Sequence, residues 1–337
     1  MSAGEILVEV TRGIAVESRH AGSVAVSDAA GRLVFALGDV ERPTFPRSAV
    51  KALQALPLVE SGAAARFGFS DEELALACAS HSGEPEHVAT AAGALARIGL
   101  GAEALECGAH WPTSDAAARA LAASGVGPTA LHNNCSGKHA GFLCLACAME
   151  VEPAGYIQPE HPVQREVTAA LEGAFGVSLA QAAVGVDGCG IPTYAAPLAS
   201  VARAFARFAT GEGFGPARAA AAKTLMRAVW SAPFQVAGTG RFDTEAMQAL
   251  KDRAFVKMGA EGVHIAALPE LGLGVAIKIE DGATRAAEVA MAAVLARLLR
   301  PEGEQAAWLA SRMRRRLTNW EGVEVGELRP APALGAA

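Results

Sequence analysis

The chain has 337 residues, 51% of them hydrophobic and 19% charged, with a formal net charge of -6. That balance calls for extensive burial and excludes a disordered chain, and the length admits one large domain or two intimate ones. The mild acidity, with no long basic run, argues against a nucleic-acid partner.

In chain order, "EILVEV", "SVAVSD" and "RLVFAL" predict strands, the last two joined as a hairpin around Ala29, Ala30 and Gly31. Residues 1 to 10 carry Glu5 and Glu9 and no apolar h-region, so no secretory signal is expected. Ala- and Leu-rich stretches punctuated by Gly or Pro predict helices over 49–62, 71–80, 85–98, 114–124, 139–150, 161–175 and 194–210. "VHIAALPE" and "LGVAIKIED" predict a second hairpin, followed by a helix over 284–300. Arg312, Arg314, Arg315 and Arg316 read as a solvated helix face, and the tail "RPAPALGAA" as frayed. Strands at both ends with helices between them predict an α+β fold, in which one largely antiparallel sheet from the terminal strands carries a helical middle region. No stretch of about 18 apolar residues appears, so no membrane partner is expected, and the location read from these absences is cytoplasmic.

Several short segments hold reactive groups. In "PTFPRSAVK", Ser48 opens a helix and Lys51 follows three residues later on the same face. A serine hydroxyl becomes a nucleophile when a base takes its proton, and a neutral lysine can be that base if burial and neighbouring positive charge disfavour the ammonium; Arg47 is adjacent. "ACASHSGEP" places Ser80, His81, Ser82 and Glu84 at a turn between helices, where capping by Ser82 is the plain alternative. "RAFVKMGAEGVH" sets Lys257 ahead of Gly259 and Gly262, which permit close backbone approach. This order of SxxK, second Ser and Lys-x-Gly is similar to that of serine acyl-transferring enzymes of the β-lactamase and glutaminase type.

Six cysteines without a secretion signal read as thiols or metal ligands, and Cys78, Cys144 and Cys147 as packing. "HNNCSGKHAG" and "GVDGCGIPTY" offer Cys135, Lys138 and Cys189 on glycine-flanked segments, and thiolate pairs select Zn²⁺. His132 and His139 are the conventional further ligands, and spacing does not choose among these donors. Asp187, two residues before Cys189, suits a substrate ammonium or a turn cap.

Together, "PRSAVK", "CASHSGEP", "HNNCSGKHAG", "VGVDGCGIPTY" and "KMGAEGVH" resemble the Rhizobium etli-type L-asparaginases over residues 5 to 300. The resemblance implies a single asparaginase domain over 1–337 on a serine β-lactamase-like fold, with a helical lobe over about 49–230. It further implies hydrolysis of L-asparagine to L-aspartate and ammonia by a homodimer. It assigns Ser48 with Lys51 and Ser80 with Lys257 as two Ser-Lys pairs, Arg47, His81 and Asp187 to substrate binding, and Cys135, Lys138 and Cys189 to zinc. The alternatives are a glutaminase or penicillin-recognising hydrolase, and a zinc-stabilised module without catalysis.

Overall fold

The computed structural model describes residues 4–335. They form two compact units: one contains the described residues up to 49, 196–206 and those from 249 on, the other 50–195 and 207–248.

The first unit is built on an eight-stranded antiparallel sheet. Its strands are β1 (Glu5–Arg12), β2 (Ala15–Asp28), β3 (Leu33–Leu37), β8 (Phe255–Met258), β9 (Val263–Leu268), β10 (Leu273–Ile279), β11 (Arg315–Thr318) and β12 (Glu324–Pro330), with the short β4 (Pro43–Thr44) and β7 (Ala196–Pro197) paired separately. The order is β11-β12-β1-β2-β10-β9-β8, with β3 also on β2. The long β2 makes this possible, because its first half pairs with β1 and its second half with β3 and β10. Val24, Val26, Ile265, Ala267, Val275 and Ile277 are fully buried. Helix α13 (Thr284–Leu299) packs its Ala- and Val-rich surface on β9, β10 and β12, and α14 (Gly303–Met313) packs on α13.

Two expectations are corrected at the carboxyl end. The tail is tied down through residues 329–335, since β12 pairs with β1 and the apolar side chains of Leu328, Ala331 and Leu334 are buried, while positions 336 and 337 lie outside the described residues. The arginine cluster is not one helix face: Arg312 lies in the last turn of α14, whereas Arg315 and Arg316 lie on the edge strand β11. Arg314, Arg315 and Arg316 face Glu327, Glu288 and Glu324, pairings that suit an edge strand guarded by charge.

The second unit is helical. It contains α1 (Lys51–Gln54), α2 (Leu56–Glu60), α3 (Ala63–Arg66), α4 (Asp71–Ala77), α5 (Pro85–Arg97), α6 (Asp115–Ala123), α7 (Ser136–Met149), α8 (Pro162–Phe175), α10 (Pro216–Ser231), α11 (Pro233–Ala237) and most of α12 (Phe242–Leu250). A two-stranded ribbon pairs β5 (Val184–Val186) with β6 (Pro192–Tyr194). The division between units falls within α9 (Leu198–Thr210). Pro57 at the start of α2 breaks the single helix predicted over 49–62 into short pieces.

Helix α7 is buried from Ser136 through Ala146, with neighbours on all sides. A helix enclosed in this way is apolar all round, so polar residues in its first turns must find partners inside the protein. It starts at Ser136, three residues earlier than predicted. Gly137, which reads as a turn in sequence, is a packing residue: a Cβ there would lie 2.4 Å from Leu76, a residue of α4.

Candidate active site

Lys51, at the start of α1, is fully buried. Its Nζ donates to the carbonyl of Ala79 (2.6 Å), to Ser80 Oγ (3.0 Å) and to the carbonyl of Asn134 (3.3 Å). Two backbone carbonyls thus hold the amine, and its remaining position faces a hydroxyl. Ser80 is where it is because α4 ends at Ala77 and the following segment is irregular, with Ser80 N–H bonded to the Val236 carbonyl at 3.0 Å.

The expected partnering placed Lys51 with Ser48, and in the structure Lys51 bonds Ser80. Ser48 lies in the 3₁₀ turn Arg47–Val50 that leads directly into α1. Arg47, just before it, has φ +52°, a left-handed conformation rare for a residue with a side chain. The end of β8 packs against this turn: a Cβ on Gly259 would lie 2.6 Å from the Pro46 carbonyl and 3.1 Å from Ala49 N, so the strand bearing Lys257 approaches the segment bearing Ser48 as closely as glycine allows. Lys257 is buried, and its Nζ donates to the Met258 carbonyl at 2.7 Å.

Cys135, Lys138 and Cys189 converge. Lys138, in the first turn of α7, donates to Cys189 Sγ at 3.0 Å, and the Cys135 Sγ lies 3.1 Å from Asn134 Oδ1. Interaction with the Cys189 thiol, helped by the Lys138 and Lys51 ammonium groups, holds Cys135 well below the ordinary thiol value. The same interaction, with burial, pushes Cys189 up. Burial alone would lower the Lys138 amine, but the Cys135 thiolate and Cys189 outweigh it and hold the amine above the ordinary lysine value. The field of the Lys51 ammonium also reaches Cys135 and favours its thiolate.

Asn133 fixes the loop that carries Cys135: its amide donates to the carbonyls of Cys107 (2.8 Å) and Gly108 (3.1 Å), and its Oδ1 accepts from Cys135 N–H (2.8 Å). Neither histidine left open by spacing joins the thiols. His132 is tied to Thr129, His139 Nδ1 bonds Tyr156 Oη at 2.7 Å, and among the described residues no three of His, Cys, Asp and Glu gather to hold a metal. The donor set is therefore two sulfurs and an amine, a soft, nitrogen-containing set that fits Zn²⁺ when the amine and both thiols are deprotonated. Asp187, half-buried on the β5–β6 turn, accepts from Gly188 N–H at 2.8 Å and is among the carboxylates whose field reaches Lys138.

His81 is placed differently from a substrate-contacting residue. It is fully buried, its Nδ1 accepts from Gly83 N–H (3.1 Å), and its Nε2–H is therefore the donor to Ser136 Oγ (2.9 Å). Both ring nitrogens are engaged within the protein. Its ring stacks on His87 at 4.9 Å, which stacks on Phe234 at 4.5 Å. Asn133, Ser136 and Tyr156 are the site residues missed in sequence. The first two stand in the quoted "HNNCSGKHAG", where their polarity inside an apolar region was the available signal.

The histidine stack has a consequence for pH. Burial above all, then the fields of His87 and Lys51, hold His81 well below the ordinary histidine value, and burial also lowers His87. Folded-state values below the unfolded ones leave stability intact above pH 6.5 and remove it as pH falls below that point, because the unfolded chain then binds protons the folded one refuses. Each such histidine contributes a slope of about 1.4 kcal/mol per pH unit. Thermal melts taken from about pH 7.5 to about pH 5 should therefore show a falling Tm, and His87→Gln should flatten the fall. A Tm constant across that range would contradict the account.

A serine on an irregular loop and a buried amine bonded to its hydroxyl are thus gathered with two thiols in the helical unit. The family follows from a direct match: the L-asparaginase II family model covers residues 8–330, and the chain belongs to that family, the Rhizobium etli-type amidohydrolases expected from the motifs. No curated protein sequence matches the chain. Among solved structures it is similar to Mglu, with 14% identity and a TM-score of 0.45 over 83% of this chain and 67% of that one. It is also similar to a β-lactamase from Mycobacterium bovis, with 13% identity and a TM-score of 0.38 over 82% and 94%. A mutant of simvastatin synthase (LovD) from Aspergillus terreus shows 11% identity and a TM-score of 0.38 over 77% and 86%. The chain spans about two thirds of the length of the Mglu chains. At such TM-scores the likeness is loose, and membership rests on the family match. A family member of this kind acts on a small-molecule substrate, and among the described residues no helix is long and apolar enough to cross a membrane.

Proposed function

We propose that the protein is an L-asparaginase, hydrolysing L-asparagine to L-aspartate and ammonia by Ser-Lys nucleophilic catalysis, as a cytoplasmic homodimer. The observation that carries this reading is the bond from the buried Lys51 Nζ to Ser80 Oγ at 3.0 Å, in a chain of the L-asparaginase II family.

In this scheme Ser48 attacks the side-chain amide carbon and its proton passes to Lys51, one helical turn away in sequence. Ser80, held on the same amine, returns the proton to the departing nitrogen, so ammonia leaves and an acyl-enzyme remains. Water then attacks the ester, the amine again accepting the proton. Ser48 and Lys257 enter the scheme from the family resemblance, as do Arg47 and Asp187 for the substrate's carboxylate and ammonium. His81, with both nitrogens spent, supports the Ser80 loop and α7 rather than touching substrate.

Cys135, Lys138 and Cys189 would hold zinc, and a bound divalent ion there supplies positive charge and a Lewis-acidic contact for a polar substrate group. Loading requires protons to leave Cys189 and Lys138, so occupancy falls as pH falls.

The test is ammonia release from L-asparagine and L-glutamine, paired with elemental analysis of the purified protein. Aspartate and ammonia in equal amounts, with zinc bound and lost in Cys135→Ser, are the expected results. Turnover of nitrocefin without ammonia release would move the protein to the penicillin-recognising class. Loss of folding on chelation, with no hydrolysis of any amide, would leave a structural zinc module.

A further inference from the structure

Ser80 lies on the segment 78–84, which leaves α4 without regular structure. A side chain on such a segment keeps its place only if the backbone is tied elsewhere. Four hydrogen bonds run to residues 236–239, at the end of α11 and just beyond it, beside those that Lys51 makes to the Ala79 carbonyl, Thr113 and Ser114 N–H to the Ser82 carbonyl, and His81 to Ser136. Ser80 N–H donates to the Val236 carbonyl (3.0 Å), and the Ser82 hydroxyl donates to the Ala237 carbonyl (2.7 Å). Glu84 completes the series, accepting the Thr239 N–H on Oε1 (2.9 Å) and the Thr239 hydroxyl on Oε2 (2.7 Å). The first two bonds are between neutral groups, whereas the Glu84 pair is bidentate and charge-assisted, roughly twice as strong per bond.

The backbone between these ties is shaped for them. Gly238 has φ +113° and ψ -173°, a conformation essentially reserved for glycine. A Cβ there would lie 2.5 Å from Glu84 Oε1 and 2.7 Å from Ser82 Oγ. Its N–H donates to Thr244 Oγ1 at 3.1 Å, and Arg241 Nη1 lies 3.4 Å from Ser82 Oγ. Two segments far apart in sequence are thus brought into backbone contact at the point where Glu84 closes them.

We propose that Glu84 is a positioning residue: by clamping Thr239 it holds residues 236–239 against 80–84, and so keeps the Ser80 hydroxyl within reach of Lys51. The catalytic part of this inference rests on the amidohydrolase reading of Ser80 and Lys51. A hydroxyl displaced by about 1 Å from its partner loses on the order of 10²-fold in rate, so a clamp outside the reacting groups has a kinetic signature.

The test uses the full-length protein and four variants. Glu84→Ala and Thr239→Val each lower kcat for L-asparagine about tenfold or more while KM moves less than about threefold. Glu84→Gln and Thr239→Ser stay within about threefold of the parent, because an amide can accept the N–H and donate to the hydroxyl, and serine retains both groups. The double variant Glu84→Ala/Thr239→Val loses no more than Glu84→Ala alone, as one shared clamp requires. Thr239 is exposed, so its variant folds even if the loss of Glu84 at the start of α5 does not allow it. Hydrogen exchange at the Ser80 amide, read without substrate, rises about tenfold or more in both disruptive variants. Unchanged exchange at Ser80 in folded Thr239→Val overturns the clamp. Faster exchange with unchanged kcat overturns its link to catalysis. A parent protein that releases no ammonia fails the asparaginase reading instead, while exchange still judges the clamp.

Discussion

Under the proposed mechanism, Lys51→Met is expected to lower kcat for asparagine hydrolysis by about 10³-fold or more, the scale of removing a base and its proton relay together. Methionine has nearly the length of the lysine stem, so the buried site keeps its packing while losing the amine. The carbonyls of Ala79 and Asn134 lose a donor, at a cost of about 1–3 kcal/mol each, which a chain of this size tolerates near room temperature. Because Ser80 is held by the same amine, Ser80→Ala combined with Lys51→Met should lose little more than the worse single variant. Circular dichroism and melting establish that the variants fold; ammonia release measures the effect. A Lys51→Met protein within about tenfold of the parent would remove the amine from the mechanism.

Gly274→Ala should have the largest effect on stability. Gly274 lies on β10, where α9 presses on the sheet: a Cβ would stand 2.0 Å from the Ala202 carbonyl oxygen and 2.4 Å from Ala206 N. Both obstacles are backbone, so neither can swing away as a side chain could. Relief requires lifting the helix or bending the strand, a cost of about 3–5 kcal/mol and a fall in Tm of about 10 °C. Gly215→Ala is the matched control, since nothing lies within 4 Å of its Cβ position and its φ of -66° suits any residue. Thermal melting of the two variants side by side checks the account, and equal Tm values would refute it.

Strands with an apolar core face were legible. "SVAVSD", "VHIAALPE" and "LGVAIKIED" pair as predicted, because alternation or an apolar run records burial within the segment itself; "RLVFAL" also pairs as predicted, although β3 is largely exposed and its apolar run records strand preference rather than burial. The first half of β2 was not legible: "AVESRHAG" is polar and largely exposed, and it is a strand because β1 offers it an edge. The hairpin β11–β12 escaped for the same reason, its arginines and glutamates suiting a charged edge that nothing local announces. Helices α10, α12 and α14 were missed even though Pro216 and the alanines after it form a helix-start signal.

By itself the sequence determined the kinds of chemistry present, namely hydroxyls, amines and paired thiols on short polar segments in an apolar chain, and through five such segments the family. Partnership was decided by the tertiary structure alone. Lys51 stands three residues from Ser48 but bonds Ser80 and the Asn134 carbonyl, 29 and 83 positions away, and His81 turns inward to Ser136, 55 positions on. Spacing along a chain constrains neighbours within a turn or two of helix. A hydrogen bond near 3 Å between distant residues depends on how α4, α7 and the 236–239 segment pack around them, and packing is a property of the whole fold.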